Sequence, residues 1–317
     1  MISLNRLGLG CMGMSSRRNP ENSIKTIHKA LACGITLFNT GEFYNTGESE
    51  MIVGRAMQGV PRDSYFLSVK FGVLPQTDGG IYGLDVKPFN IKGHLAYSLS
   101  RLGMDYVDLY QPARQDTEIP VEEVVGEISK LVEAGYVRHI GLSMVDADTL
   151  RRACRVAPIH TVEMSYSLID RGIENELIET ARELGVRVLA FGTVGHGLFA
   201  DNVLEGIHVD PRFARGMLAP EHIETNLPMI KAVKAIADEK GIGLSQLALA
   251  WSLAKYDYVQ SLVGTTSPEH LQSAIDALKI EFTKEDIERI EAAIPADRLS
   301  GRGMRNFRFT DGRMSCN

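Results

Sequence analysis

The chain has 317 residues, 44% of them hydrophobic, enough to bury a large core, and a (β/α) barrel of this length folds as one domain over 1–317. Its formal net charge of −6 argues against a general nucleic-acid binder, and no apolar run approaches the roughly 20 residues of a membrane helix. Cys11, Cys33, Cys154 and Cys316 lack disulfide- or zinc-type spacing, and MISLNRLG lacks a signal-peptide core. The expectation is a soluble cytoplasmic protein.

NRLGLGCMG (5–13) reads as a glycine-broken strand. A helix over 21–34 follows, with Ile24, Ile27, Ala30 and Leu31 on one face and Gly34 as its cap. ITLFN (35–39) is the second strand, followed by a polar loop carrying Tyr44 and the helix SEMIVGRAM. YFLSVK (65–70) is the third, ending at Lys70 before a glycine- and proline-rich loop over 71–89. The next helix turns Ile91, Leu95, Leu99 and Leu102 inward. YVDLYQ (106–111) is the fourth strand, and its helix carries one stripe of Val121, Val124, Val125, Ile128, Leu131 and Val132.

VRHIGLS, HTVEMSYS and VRVLAFG are the fifth to seventh strands, the first two each followed by a helix. A long segment over 192–227 leads to two more helices, PMIKAVKAIADEKG and LSQLALAWSLAK. YVQSLVG is the eighth strand, followed by PEHLQSAIDAL, a further helix KEDIERIEAAI and an Arg-rich tail. Eight strands alternating with helices predict a (β/α)8 TIM barrel of the α/β class; a doubly wound open sheet is the alternative, disfavoured because no GxGxxG follows the first strand.

Function in such a barrel sits at the C-terminal strand ends, where Asn39 to Tyr44, Lys70, Gln111 to Arg114, Ser143, Glu163, Phe191 and Gly264 to His270 fall. A phenol beside an ammonium is a candidate proton donor, because the positive charge draws its pKa of about 10 toward working pH.

From LGLGCMGM to GTTSPEHL the ordered motifs resemble the aldo-keto reductase superfamily. LFNTGEFYNTGESEMIVGRAM is similar to that family's aspartate–x4–tyrosine stretch, with Asn39 in the aspartate position; LSVKFG matches its lysine, and VDLYQPARQDTEIPVEE its fourth-strand motif, with Ala113 in the usual histidine position. FNTGEFY, LSVKFG, PAR, GLSMVDADTLRRA and VEMSYSL together look most like the pyridoxal reductase (pyridoxine 4-dehydrogenase) branch.

The resemblance implies an extended NADP, with NAD as the alternative, and a small-molecule carbonyl substrate. It places Ser143 and Glu163 at the nicotinamide carboxamide, with Glu163 in a common glutamine position. Phe191 then stands at the nicotinamide face beside Gly192, with His196 near the cofactor, and Gly264, Thr265, Thr266, Ser267 and His270 stand at the adenosine phosphate. Asn39 orients Lys70 without neutralising it, so the lysine charge is expected to act fully on Tyr44. Ala113 removes a carbonyl hydrogen bond worth on the order of 3 kcal/mol and opens space, which a substrate with its own donor, such as pyridoxal's ring hydroxyl, would offset. Two other expectations are a sugar-derived or secondary-metabolite carbonyl as substrate, and a cofactor-binding sensor with little catalysis. The remaining histidines, His28, His94, His139, His160 and His222, are expected to be structural or at the surface. The tail with Arg302, Arg305, Arg308 and Arg313 is expected to be a solvated terminus; closure over the barrel mouth is the alternative.

Overall fold

The structure, a computed structural model, describes residues 4–77, 80–204, 219–301, 307–310 and 313–316. Its strands in chain order are β1 (Leu7–Gly10), β2 (Leu37–Gly41), β3 (Phe66–Phe71), β4 (Val73–Pro75), β5 (Ile81–Leu84), β6 (Val107–Pro112), β7 (Val137–Ser143), β8 (Ile159–Ser165), β9 (Arg187–Phe191), β10 (Val259–Gly264), β11 (Phe307–Thr310) and β12 (Arg313–Cys316). Eight of them close a parallel barrel in the order β1-β2-β3-β6-β7-β8-β9-β10, with β10 returning to β1 through Leu7↔Ser261 to Gly10↔Gly264. That closure removes the open-sheet alternative.

Helices wrap the barrel because their apolar stripes need a wall. In α4 (Val121–Glu133), Val121, Val124, Val125, Ile128 and Leu131 are buried on the predicted face, each contributing roughly 1.5–3 kcal/mol. In α1 (Pro20–Ala32), Ile27 and Ala30 are buried, and Gly34 follows the helix with φ 85°, a conformation glycine adopts without strain. No described helix is long and apolar enough to cross a membrane.

Three regions depart from the sequence reading. The segment 71–89 contains the hairpin β4–β5, whose antiparallel register includes Val73↔Leu84. The C-terminal residues 307–316 include two antiparallel strands, joined to that hairpin through Arg313↔Gly83 in a sheet of order β11-β12-β5-β4. The expected solvated terminus is therefore paired backbone, placed against the hairpin that leaves the C-terminal end of β3; Arg302 and Arg305 lie outside the described residues. Each strand pair is local, and Asp311-Gly312 between FRFT and RMSC is a hairpin signal in the sequence; the join between the two pairs, Arg313↔Gly83, has no local cue. Further, α7 spans Pro220–Glu239 and runs through Pro228, where the sequence reading starts it, beginning eight positions earlier. Residues 205–218 of the long preceding segment lie outside the described set.

The base of the β4–β5 hairpin is tied to the barrel by charge. His94 on α3 (Pro88–Leu102) places Nδ1 2.9 Å from Glu42 Oε1 and Nε2 3.5 Å from Asp85 Oδ2, while Glu42 Oε1 accepts the Gly72 N–H at 2.7 Å. Burial lowers the His94 pKa, yet the hydrogen bond and charge of Glu42, with Asp85, raise it above its ordinary 6.5 overall. A raised folded-state value contributes stability fully below the unfolded value and loses it as pH rises through the folded one. His94→Gln should therefore cost more stability in mildly acidic than in alkaline buffer, as read by urea denaturation; an equal cost at both would contradict the ion pair.

Candidate active site

The site is assembled where alternate residues of each strand point into the barrel. From β2 comes Asn39, 2% exposed; from β3 come Ser68 and Lys70; from β6, Gln111; from β7, Ser143; and from β8, Glu163, 2% exposed. Register sets their heights: Gly41 lies beside Lys70, Lys70 beside Gln111, and Ser143 beside Glu163. Gly41 is glycine because a Cβ there would lie 3.1 Å from Phe43 Cε1 and 3.3 Å from Lys70 Cβ, the wall along which Lys70 rises.

Tyr44 follows β2 in a tight turn. Its N–H reaches Gly41 O at 3.0 Å, and the next residues, Asn45 and Thr46, hold φ of 49° and 55°. Asn45 stabilises that left-handed turn by donating Nδ2 to Met12 O (2.9 Å) and Met14 O (2.8 Å), which pins the loop to the segment after β1. The Tyr44 ring meets Phe43 edge-on at 4.7 Å, and Lys70 Nζ lies 5.0 Å from its centroid.

The expected pair is thus together, and its surroundings differ from the expectation. Lys70 donates to Asn39 Oδ1 and lies 2.9 Å from Glu163 Oε1 and 3.2 Å from Glu163 Oε2. Glu163 Oε2 also accepts from Asn39 Nδ2 and from Gln111 Nε2, both at 2.7 Å. Ser68 Oγ accepts from Asn39 Nδ2 (3.1 Å) and Gln111 Nε2 (3.2 Å). The lysine charge expected to stand unneutralised has a carboxylate partner. That carboxylate belongs to the residue predicted at the carboxamide, and it reaches Lys70 from across the barrel. Ser143 Oγ is buried with no hydrogen-bond partner among the described residues.

Burial lowers the Lys70 pKa, but the charges of Glu163 and Tyr44 raise it above the ordinary lysine value overall. Burial pushes the Tyr44 phenol up; the Lys70 ammonium opposes this, Glu163 adds to it and Arg114 opposes it, leaving the value raised. Tyr44 therefore stays protonated through neutrality. Arg114, which donates Nη1 to Ala113 O at 2.6 Å, has its own pKa lowered by burial.

Ala113 is 1% exposed and packs with Val73, Leu84 and Phe43. The space expected beside Tyr44 is occupied on that side by the β4–β5 hairpin, an element absent from the sequence reading. Phe191 is half-buried at the end of β9 against Leu37, Leu189 and Leu262, and its ring stands 6.3 Å from that of His196. Gly192 holds φ 69°, and a Cβ there would sit 2.8 Å from the His196 ring. Gly264 ends β10, and Ser267 caps α9 (Pro268–Ala277), accepting from the N–H groups of Glu269 and His270 at 3.2 Å and donating to Glu269 Oε2 at 2.7 Å. Thr265 Oγ1 accepts the Ser267 N–H at 3.0 Å, Thr266 is half-buried and His270 is exposed. The predicted phosphate-binding hydroxyls thus form an ordinary helix cap, with an acidic side chain folded onto it.

Sequence reasoning missed Ser68 and Asn45, and it reached Glu42 only as part of the Asn39 to Tyr44 stretch. Ser68 was within reach, since strand alternation puts it on the face of Lys70, two positions on; the other two act through tertiary contacts. The remaining histidines have structural contacts: His139 and His160 each stack on Phe66 and meet at a tilt with centroids 4.4 Å apart, His28 meets Ala56 O and His222 meets Ser300.

A closed parallel barrel carries the half-buried Tyr44 and the buried Lys70 at its C-terminal rim. Residues 6–295 match the model of the aldo/keto reductase family. "Probable aldo-keto reductase 1" of Glycine max is 33% identical over 308 residues, covering 95% of this chain and 88% of that relative. Among solved structures, a glycerol dehydrogenase from Gluconobacter oxydans superposes with TM-score 0.80 at 25% identity, over 96% of this chain and 95% of its own. An aldo-keto reductase from Klebsiella pneumoniae in complex with NADPH has the same fold, with TM-score 0.72 at 24% identity over 93% and 94% of the two chains. The chain belongs to the aldo/keto reductase family and is by class an NAD(P)-dependent oxidoreductase.

Proposed function

We propose that the protein reduces an aldehyde or ketone to an alcohol with NADPH, Tyr44 donating the proton, and that its favoured substrate is a pyridoxal-type aldehyde. The observation that carries the reduction is the half-buried Tyr44 with Lys70 Nζ 5.0 Å from its ring. The nicotinamide supplies a hydride when bound; the rest belongs to the chain. Ser143, whose buried hydroxyl has no partner among the described residues, fits the carboxamide, and Phe191 fits the ring face. Gly192 and His196 border that position, while Gly264, Thr265, Thr266, Ser267 and His270 are the candidates for the adenosine phosphate. Phosphate binding there requires the Glu269 carboxylate to swing off its cap. NADP over NAD is supported by the NADPH held in the Klebsiella neighbour.

As the carbonyl oxygen gains charge, Tyr44 gives it a proton. Gln111 is committed to Glu163 and Ser68, which leaves Arg114 as the rim cation near that oxygen. The family resemblance of the motifs supports a pyridoxal-type substrate, and so does the aromatic and aliphatic wall of Phe43, Val73, Leu84 and Ala113. A ring hydroxyl ortho to the aldehyde supplies the hydrogen bond that Ala113 cannot.

The test is absorbance loss of NADPH or NADH with pyridoxal, small aldehydes, glyceraldehyde and ketones. Pyridoxal turnover with NADPH is expected. Turnover of glyceraldehyde alone would move the substrate toward that of the Gluconobacter neighbour, and tight cofactor binding without turnover would make the protein a sensor. Ala113→His should lower kcat/KM for pyridoxal and spare small aldehydes, because an imidazole overpacks the wall at a cost of about 1–3 kcal/mol. Equal stimulation of both substrates would remove the own-donor argument.

A further inference from the structure

We propose that Glu163 is the positioning residue of the Tyr44–Lys70 pair, the ionic partner holding Lys70 from the opposite wall of the barrel, and that Asn39 is the neutral link this arrangement requires. The proposal rests on the reductase reading of the same site.

The geometry is specific. A buried ammonium without an anion sheds its proton or forces a rearrangement, and Lys70 is 3% exposed. Its ion-pair partner among the described residues is Glu163, with both carboxylate oxygens in reach at 2.9 and 3.2 Å. The same carboxylate takes Asn39 Nδ2 and Gln111 Nε2 at 2.7 Å, so donors from three other strands fix its rotamer. Oε2 of that carboxylate is taken up by these donors, and the neighbouring Ser143 hydroxyl, without a partner among the described residues, is placed for the nicotinamide amide.

Asn39 fits the same logic. Its amide accepts from Lys70 on Oδ1 and donates to Glu163 and Ser68 on Nδ2. An aspartate could only accept, and it would set a second carboxylate against Glu163 around a single lysine. Relative to the pattern the motifs resemble, positions 39 and 163 read as one exchange: the carboxylate stands on β8 and an amide stands on β2. In the barrel order β8 lies four strands from β2, directly across the interior. The ionisable groups facing the Lys70–Glu163 ion pair are Tyr44 after β2, Arg114 after β6 and Cys11 after β1, whose thiol burial pushes up to about 12.

The experiment compares wild type, E163Q, N39D and N39D/E163Q in kcat, carbonyl KM, NADPH affinity by fluorescence, and the pH profile of kcat. E163Q and N39D should each lower kcat, E163Q by about 100-fold, and E163Q should shift the pH profile while NADPH affinity holds. The double variant should recover to within about tenfold of wild type. An E163Q protein with normal kcat, a loss confined to NADPH affinity, or a double variant no better than E163Q would each overturn the proposal. If E163Q does not fold, the double variant decides alone: folded and active supports the exchange, folded and inactive refutes it. Should wild type reduce no carbonyl, the reductase reading fails separately. The exchange is then read from the ultraviolet titration of Tyr44, which E163Q should displace and the double variant restore; no displacement, or no restoration, refutes it.

Discussion

Tyr44→Phe should abolish carbonyl reduction while leaving cofactor binding intact. Phenylalanine keeps the edge-on contact with Phe43 at 4.7 Å and removes only the hydroxyl that carries the proton. Loss of a positioned acid typically costs 10²- to 10⁴-fold, so kcat should fall by roughly that factor, measured by NADPH absorbance, with the fluorescence titration unchanged. The wild-type pH profile should agree. Because burial raises the Tyr44 phenol above its ordinary value of 10.0, kcat for reduction should hold through neutrality and decline only in alkaline buffer, as the phenol loses its proton. A variant with wild-type kcat would remove Tyr44 from the mechanism.

Lys70→Met should strongly destabilise the fold. It leaves the Glu163 carboxylate buried among Asn39 and Gln111 with no cation, a defect that typically costs about 3–5 kcal/mol. Denaturant midpoints would read it, and adding Glu163→Gln should recover part of the loss because the two side chains share one interaction. The pH dependence has a definite sign. Since the folded-state pKa of Lys70 is raised above 10.5, its stabilisation is complete below that value and fades as pH rises through the folded one. The gap between wild type and Lys70→Met should therefore narrow in strongly alkaline solution. A Lys70→Met protein as stable as wild type at neutral pH would contradict the buried pair.

Much of the barrel was legible because its cues are local. The stripe of α4 reports a helix face needing a wall, and Gly34 reports a chain reversal whatever packs above it. Tyr44 and Lys70 were legible as a pair because strand ends in a parallel barrel converge on one rim. The sheet that joins the β4–β5 hairpin to the C-terminal strands was not, since its shared edge pairs residues far apart in sequence, Arg313 with Gly83. The same missing element turned Ala113 from an opening into a packed wall with Val73 and Leu84.

The sequence by itself determined the alternation that makes a barrel, the tyrosine and lysine on its rim, and the substitutions at 39 and 113. Only the tertiary structure decided the charge balance of the site. Lys70 and Glu163 are 93 residues apart, and Asn39 and Glu163 124 apart. No spacing rule links strands that far apart across a barrel interior. Position 163 is ambiguous as a sequence symbol, a carboxylate where an amide is common. Closing the barrel brings it within hydrogen-bond distance of a buried ammonium, and the energy of pairing buried charges then fixes where it points.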